Sequence, residues 1–284
     1  MRFRYSLLLI ALLPASSMAW DLGCSHKADR AGGIEAGGVE KVVIRTGAGD
    51  MKVVGRSNAI RIEARGVACA SRQALLDATQ ISVRREGNVV YVETILPQND
   101  DGDDDDDDRS DNAYAYIDIG IALPSSIPVE AIDSSGDATF EDLKALTLQD
   151  SSGDLTLNRI AGLTDVNDSS GDIEIESAGS VRLRDSSGDI DVENVQGDVE
   201  VAVDSSGDIE IDRVDGSVHV AQDSSGSIRV EHVKGSVTVD SDSSGDIHAG
   251  SVGGDFTVSE DSSGSIEHES IGGRVSVPSN KSDD

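Results

Sequence analysis

Large rings are scarce in this 284-residue chain: one Trp, three Phe and four Tyr, 3% of all residues. Aromatic side chains normally supply much of a compact core, so any core here must be thin, regular and aliphatic. Proline is also rare, at five residues, which leaves few loops locked by a fixed φ. Basic residues number 23 against 54 acidic, for a formal charge of −31. That balance argues against nucleic acid and anionic membrane surfaces as partners, because both are held by basic patches. It permits cations or basic partners. No apolar run reaches the roughly 20 residues that span a bilayer.

Catalytic signatures are missing too. There is no Gly-x-Ser-x-Gly elbow, no His-Glu-x-x-His, no phosphate loop and no Cys-x-x-Cys. The five histidines, His26, His219, His232, His248 and His268, fall in different registers and make no ligand column. The expectation is a non-enzyme with no catalytic residue and no cofactor, Ca²⁺ being the one ion left open.

What is present begins with a basic start at Arg2 and Arg4, then the apolar run Ser6–Leu13, a break at Pro14 and small residues in Ser17-Met18-Ala19. This is the order of a secretory signal peptide over 1–19, cleaved before Trp20. It predicts an extracytoplasmic protein, periplasmic or secreted. Asp21-Leu22-Gly23 does not suit Cys24 as a lipid-accepting cysteine. In an oxidising compartment Cys24 and Cys69 are candidates for a disulfide that tethers an N-terminal tail over 20–37; the alternative is two unpaired thiols.

Self-similarity dominates the rest. Asp-Ser-Ser-Gly occurs eight times, starting at Asp133, Asp150, Asp168, Asp185, Asp204, Asp223, Asp242 and Asp261, in steps of 17 to 19 residues. Six copies continue with Asp: Asp137, Asp154, Asp172, Asp189, Asp208 and Asp246. Within the unit from Asp204 to Gln222, Ile209-Glu210-Ile211 and Val218-His219-Val220 alternate with period two, the strand signature. Ile209, Ile211, Val214, Val218 and Val220 are expected inside, Glu210 and His219 outside. Such a unit buries its apolar face only by stacking on copies of itself. The fold expected is therefore all-β, a parallel β-solenoid of about 19 residues per coil, eight coils over 133–278. Antiparallel hairpins in a sandwich are the competing architecture.

Residues 38–132 read as an irregular β region. Thr46 to Val53 looks like a degenerate copy of the turn and strand. Ser71 to Thr79 is the one short helix, 71–79, with Ser71 as its cap and Leu75 and Leu76 facing the sheet. A poly-Asp loop at 99–112 is too densely charged to order. Residues 279–284 form a tail.

The repeated turn has a structural reason: Asp and Ser accept turn amides, and Gly supplies positive φ. A functional reading also exists. Carboxylates stacked about 4.8 Å apart repel, and Ca²⁺ takes six to eight oxygen ligands. Candidate metal ligands are Asp185, Asp189, Asp204, Asp208, Asp242 and Asp246. Without a cation, stacking is expected to raise the aspartate pKa values, so stability falls as pH rises and mild acid or added divalents help.

The segment YIDIGIALPSSIPVEAIDSSG (116–136), followed by repeated Ser-Gly-Asp-Ile/Val strands, resembles the putative-adhesin, β-strand-repeat family of domains of unknown function in bacterial envelope proteins. The resemblance covers roughly 38–278 and implies a β-solenoid and an envelope location. The chain differs in its poly-Asp loop and in its uniform repeat. The expected function is a non-catalytic structural or binding module presenting exposed columns such as Glu174, Asp191, Glu210, Arg229 and His248 to an envelope or extracellular protein or polysaccharide. A Ca²⁺-dependent adhesive surface protein is the first alternative; a polysaccharide-active β-helix enzyme is the second.

Overall fold

A computed structural model describes residues 24–97 and 113–278. The signal peptide expected over 1–19, the poly-Asp loop at 99–112 and the tail at 279–284 lie outside the described residues. The described chain is nearly all strand, with one short helix.

The repeat folds as a parallel solenoid. Ile190, Ile209, Ile228, Ile247 and Ile266 pair in one line, each with its copy 19 residues on. Val199, Val218, Val237 and Phe256 form a second line. Antiparallel hairpins are thereby ruled out for the repeat. Alternation explains the arrangement: every second residue faces a core that only the next coil can close. Ile209, Ile211, Val214, Val218 and Val220 are at most 1% exposed, while Glu210 is exposed and His219 half-buried. Ile211→Ala, between Val192 and Val230, is expected to cost about 2–4 kcal/mol, read from the denaturant midpoint. A cost under about 0.5 kcal/mol, the range of a surface change, would contradict a packed file.

Each coil also turns through a non-glycine residue in the left-handed region: Asp142, Arg159, Ser177, Asn194, Arg213, His232, Ser251 and Ser270, at φ between 53° and 70°. This corner carries no common residue type, so the sequence alone does not reveal it.

The N-terminal region continues the stack. Strands β1 (His26–Glu35), β2 (Lys41–Arg45), β3 (Met51–Arg56) and β4 (Arg61–Ala70) precede helix α1 (Gln73–Ala78). Then come β5 (Gln80–Glu86), β6 (Val89–Ile95), β7 (Ala115–Pro124) and β8 (Val129–Ile132). β2 pairs in parallel with β8, and β3 with the strand Ala138–Glu141. Ala48 bridges Ser135, so the degenerate Thr46–Val53 copy is a true coil beneath the first repeat.

Two expectations change here. The 20–37 tail contains β1, paired antiparallel along its whole length with β4; its polar and small residues give no hydrophobic alternation to read. The helix is shorter than 71–79, and Ser71 does not cap it. Arg72 occupies that position in extended conformation, without a side-chain cap, and Ser71 Oγ accepts the Tyr114 N–H at 3.1 Å. Leu76 is buried and Leu75 packs partly against Ala68, Ala70 and Ile117. A disulfide joins Cys24 to Cys69, Cα to Cα 5.8 Å, tying the start of β1 to the end of β4. At the far end His268 is half-buried, its ring 6.0 Å from that of Phe256.

Candidate functional site: the aspartate edge and the outward ridge

The Asp-Ser-Ser-Gly-Asp turns lie one above another along an edge of the rod. The second Ser of each turn donates its hydroxyl to the carbonyl of the first Ser in the preceding turn: Ser187 to Ser169 at 3.2 Å, Ser225 to Ser205 at 3.0 Å, Ser263 to Ser243 at 3.1 Å. The Gly sits at φ between 112° and 145°. A Cβ on Gly207 would overlap the Gly188 carbonyl oxygen. The turn is thus fixed by both conformation and close approach.

The two aspartates of the motif have separate fates. The second is exposed and accepts a backbone N–H from the next coil through one oxygen: Asp189 from Asp208 at 2.9 Å, Asp208 from Ser227 at 2.8 Å, Asp246 from Ser265 at 2.8 Å. The ladder extends into the irregular region, where Asp118 accepts from Asp50 at 3.0 Å and Asp50 from Asp137 at 3.2 Å. The first aspartate is buried. Asp133, Asp150, Asp168, Asp185, Asp204 and Asp223 are 0–4% exposed. Asp133 is met from below by the Thr46 hydroxyl at 2.7 Å, Thr46 standing where a further Asp would be.

In this buried file Oδ1 of Asp168 and of Asp185 accepts the N–H of the next residue, both at 2.7 Å. The second oxygens of Asp133, Asp185 and Asp223 have no hydrogen-bond partner. A buried acceptor without a donor favours the protonated form. Burial accordingly pushes Asp133 and Asp204 up to about 6, and Asp150 and Asp223 up to about 7. Like charge in the neighbouring coils adds to this: Asp133 and Asp168 beside Asp150, Asp185 beside Asp204, Asp204 and Asp242 beside Asp223. Asp168 and Asp185 also rise, first through burial. Repulsion between stacked carboxylates is therefore the lesser cause; desolvation leads.

The six metal candidates fall in these two files. Asp185 and Asp204, with Asp242, lie in the buried one, and Asp189, Asp208 and Asp246 in the exposed one. Among the described residues no three His, Cys, Asp or Glu side chains gather as a metal-binding group.

A second candidate surface is the outward ridge. Glu174, Asp191, Glu210, Arg229, His248 and Glu267 are register partners from coil to coil. Burial raises Asp191, with help from Glu193, Glu210 and Glu174. Arg229 interrupts this acidic row, so the ridge changes sign along its length.

No curated protein matches the chain. Three solved structures are similar to it over most of its length, at low identity. One described as a putative adhesin from Bacteroides fragilis has 14% identity over 89% of this chain and 98% of its own, with a TM-score of 0.44. One described as a putative lipid binding protein from Parabacteroides distasonis has 16% identity over 88% and 96%, with a TM-score of 0.42. One described as a putative cell adhesion protein from Clostridium sporogenes has 13% identity over 89% and 99%, with a TM-score of 0.28. Residues 90–283 match the family described as Toastrack DUF4097, which takes in the whole repeat and the strands that lead into it, and the chain belongs to that family.

Proposed function

We propose that the protein is an extracytoplasmic, non-catalytic module of the bacterial envelope, an adhesin-like rod that presents repeated side chains to a partner. The observation that carries this reading is the register of the outward ridge, where chemically distinct residues stand in one line at one coil spacing. Repeat proteins use such surfaces for extended partners. The disulfide between Cys24 and Cys69 suits an oxidising compartment. No helix of the described residues is long and apolar enough to cross a membrane.

Two measurements on the protein recovered from its own host test the reading. The expected N-terminus is Trp20, in an envelope or extracellular fraction, with no thiol free to alkylate. A full-length chain in the cytoplasm with two reactive thiols would contradict the location. For the binding role, charge reversal at Arg229 is expected to reduce attachment of the protein to envelope preparations while leaving its circular dichroism unchanged. Unaltered attachment would remove the ridge from the account.

A further inference from the structure

Charge is distributed unevenly along the chain. Residues 133–278 hold eight Lys and Arg against 32 Asp and Glu, whereas residues 41–96 hold nine against five. The acidic total hides a basic region, and part of that region is a trough.

Strands β3, β7 and β4 lie side by side. Lys52 pairs with Gly120 and Gly120 with Arg65; the next outward row is Val54, Ala122 and Glu63. Gly120 and Ala122 make a low floor between two banks of longer side chains. The trough opens as a cavity of 630 Å³, which Arg56, Arg61 and Ile60 also line. That volume suits a small molecule. Ile60 is 74% exposed at its rim.

The cations are not equally engaged. Lys52 meets Glu141 at 2.7 Å, Arg65 meets Glu63 at 3.4 Å, and Arg61 meets Glu35 and Glu63. Arg56 has no ion-pair partner among the described residues. Its guanidinium is therefore the group most ready for an incoming anion, with Arg61 beside it in the lining.

Gly120 carries the remaining weight. The glycines on the flanking strands are forced by backbone: a Cβ on Gly55 would overlap the Asp142 carbonyl oxygen, and one on Gly66 that of Asp118. A Cβ on Gly120 would meet only the Arg65 carbonyl oxygen, at 3.8 Å. The fold does not need glycine there, and glycine weakens a strand interior. What it leaves is space directly over the sheet, as where a ligand approaches backbone.

We propose that this trough binds an amphiphilic anion, a phosphate or carboxylate head on a short aliphatic chain, with the head at Arg56 and the chain over Ala122 and Gly120 beside Val54. Four residues of strand separate the Arg56 and Lys52 rows, about 13 Å, enough to seat a short chain along its length. This assignment does not depend on the envelope role or on the ridge.

The experiment titrates octyl phosphate into ¹⁵N-labelled protein below micelle formation, with inorganic phosphate and octyl glucoside as separate arms. Octyl phosphate is expected to bind at least about tenfold more tightly than either arm, with shifts centred on the Gly120 and Ala122 amides. Arg56→Glu and Gly120→Leu are each expected to weaken it at least about tenfold. Gly120→Leu fills the trough where the backbone has room, so it decides the matter even if Arg56→Glu fails to fold. Unchanged affinity in Gly120→Leu, or shifts spread over the solenoid, would overturn the site. Inorganic phosphate binding as tightly as octyl phosphate would overturn the amphiphile, and octyl glucoside doing so would overturn the anion.

Discussion

Asp223→Asn is expected to raise the melting temperature at pH 8 by about 5 °C, corresponding to roughly 2 kcal/mol for a protein of this size, and to change it little at pH 5. Asp223 is fully buried between Asp204 and Asp242, its second oxygen has no donor, and its pKa is raised to about 7. At pH 8 the wild-type side chain has to be a buried anion beside like charges; asparagine keeps the acceptor for the Ser225 N–H, 3.2 Å away in the wild type, and carries no charge. The charged groups that act on it most strongly are Asp204 and Asp242 in the adjacent coils, both acidic.

The same linkage gives the wild-type pH dependence. An aspartate whose pKa is near 3.8 unfolded and about 6 to 7 folded binds its proton more tightly in the folded state. Its contribution is complete below about pH 4, declines as pH rises through the window to about 7, and is absent above it. The wild type is therefore expected to melt at least about 10 °C higher at pH 5 than at pH 8, a few kcal/mol summed over an interacting file. Asp223→Asn should flatten part of that slope. An equal loss of stability in the variant at both pH values would show that the carboxylate makes a favourable interaction absent from this account.

The second large effect is expected at Gly207→Ala, which should lower stability by at least about 4 kcal/mol or prevent folding, since backbone strain and steric overlap coincide. Gly207 stands at φ 129° and its added Cβ would overlap the Gly188 carbonyl oxygen of the coil below. The backbone is also held from the other side, where the Gly207 N–H bonds the Ser225 carbonyl of the next coil at 3.2 Å. Denaturant unfolding followed by circular dichroism checks it. A loss below about 1 kcal/mol, ordinary for a strand glycine, would mean that the turns are not stacked as described.

The contrast between these sites shows what a sequence discloses. The stacked coils were legible because each position of the repeat has one physical duty that recurs: Ile209 and Ile211 face in and Gly207 turns; that Ser206 donates its hydroxyl to the Ser186 carbonyl of the coil below, where an acceptor of turn amides was expected, was not. The two aspartates of one motif look alike in sequence, and nothing in Asp-Ser-Ser-Gly-Asp says that Asp204 goes inside while Asp208 stays out. That difference shows only in the folded turn, where Asp204 is buried and Asp208 exposed. The left-handed corner at Asn194, Arg213 and His232 was illegible because no residue type is required there. β1 was hidden by its polar and small composition. The trough was hidden for another reason: Arg56, Arg65 and Gly120 are far apart in the chain and meet only when β7 inserts between β3 and β4.

The most direct test is a carbon-13 NMR titration of the individual aspartate carboxyl carbons in the folded protein. Midpoints near 6 to 7 are predicted for Asp133, Asp150, Asp204 and Asp223, as a buried, stacked file requires. Midpoints below about 4.5 for these four, close to the ordinary carboxylate value, would show that their carboxyl groups reach water and that the coils do not enclose them.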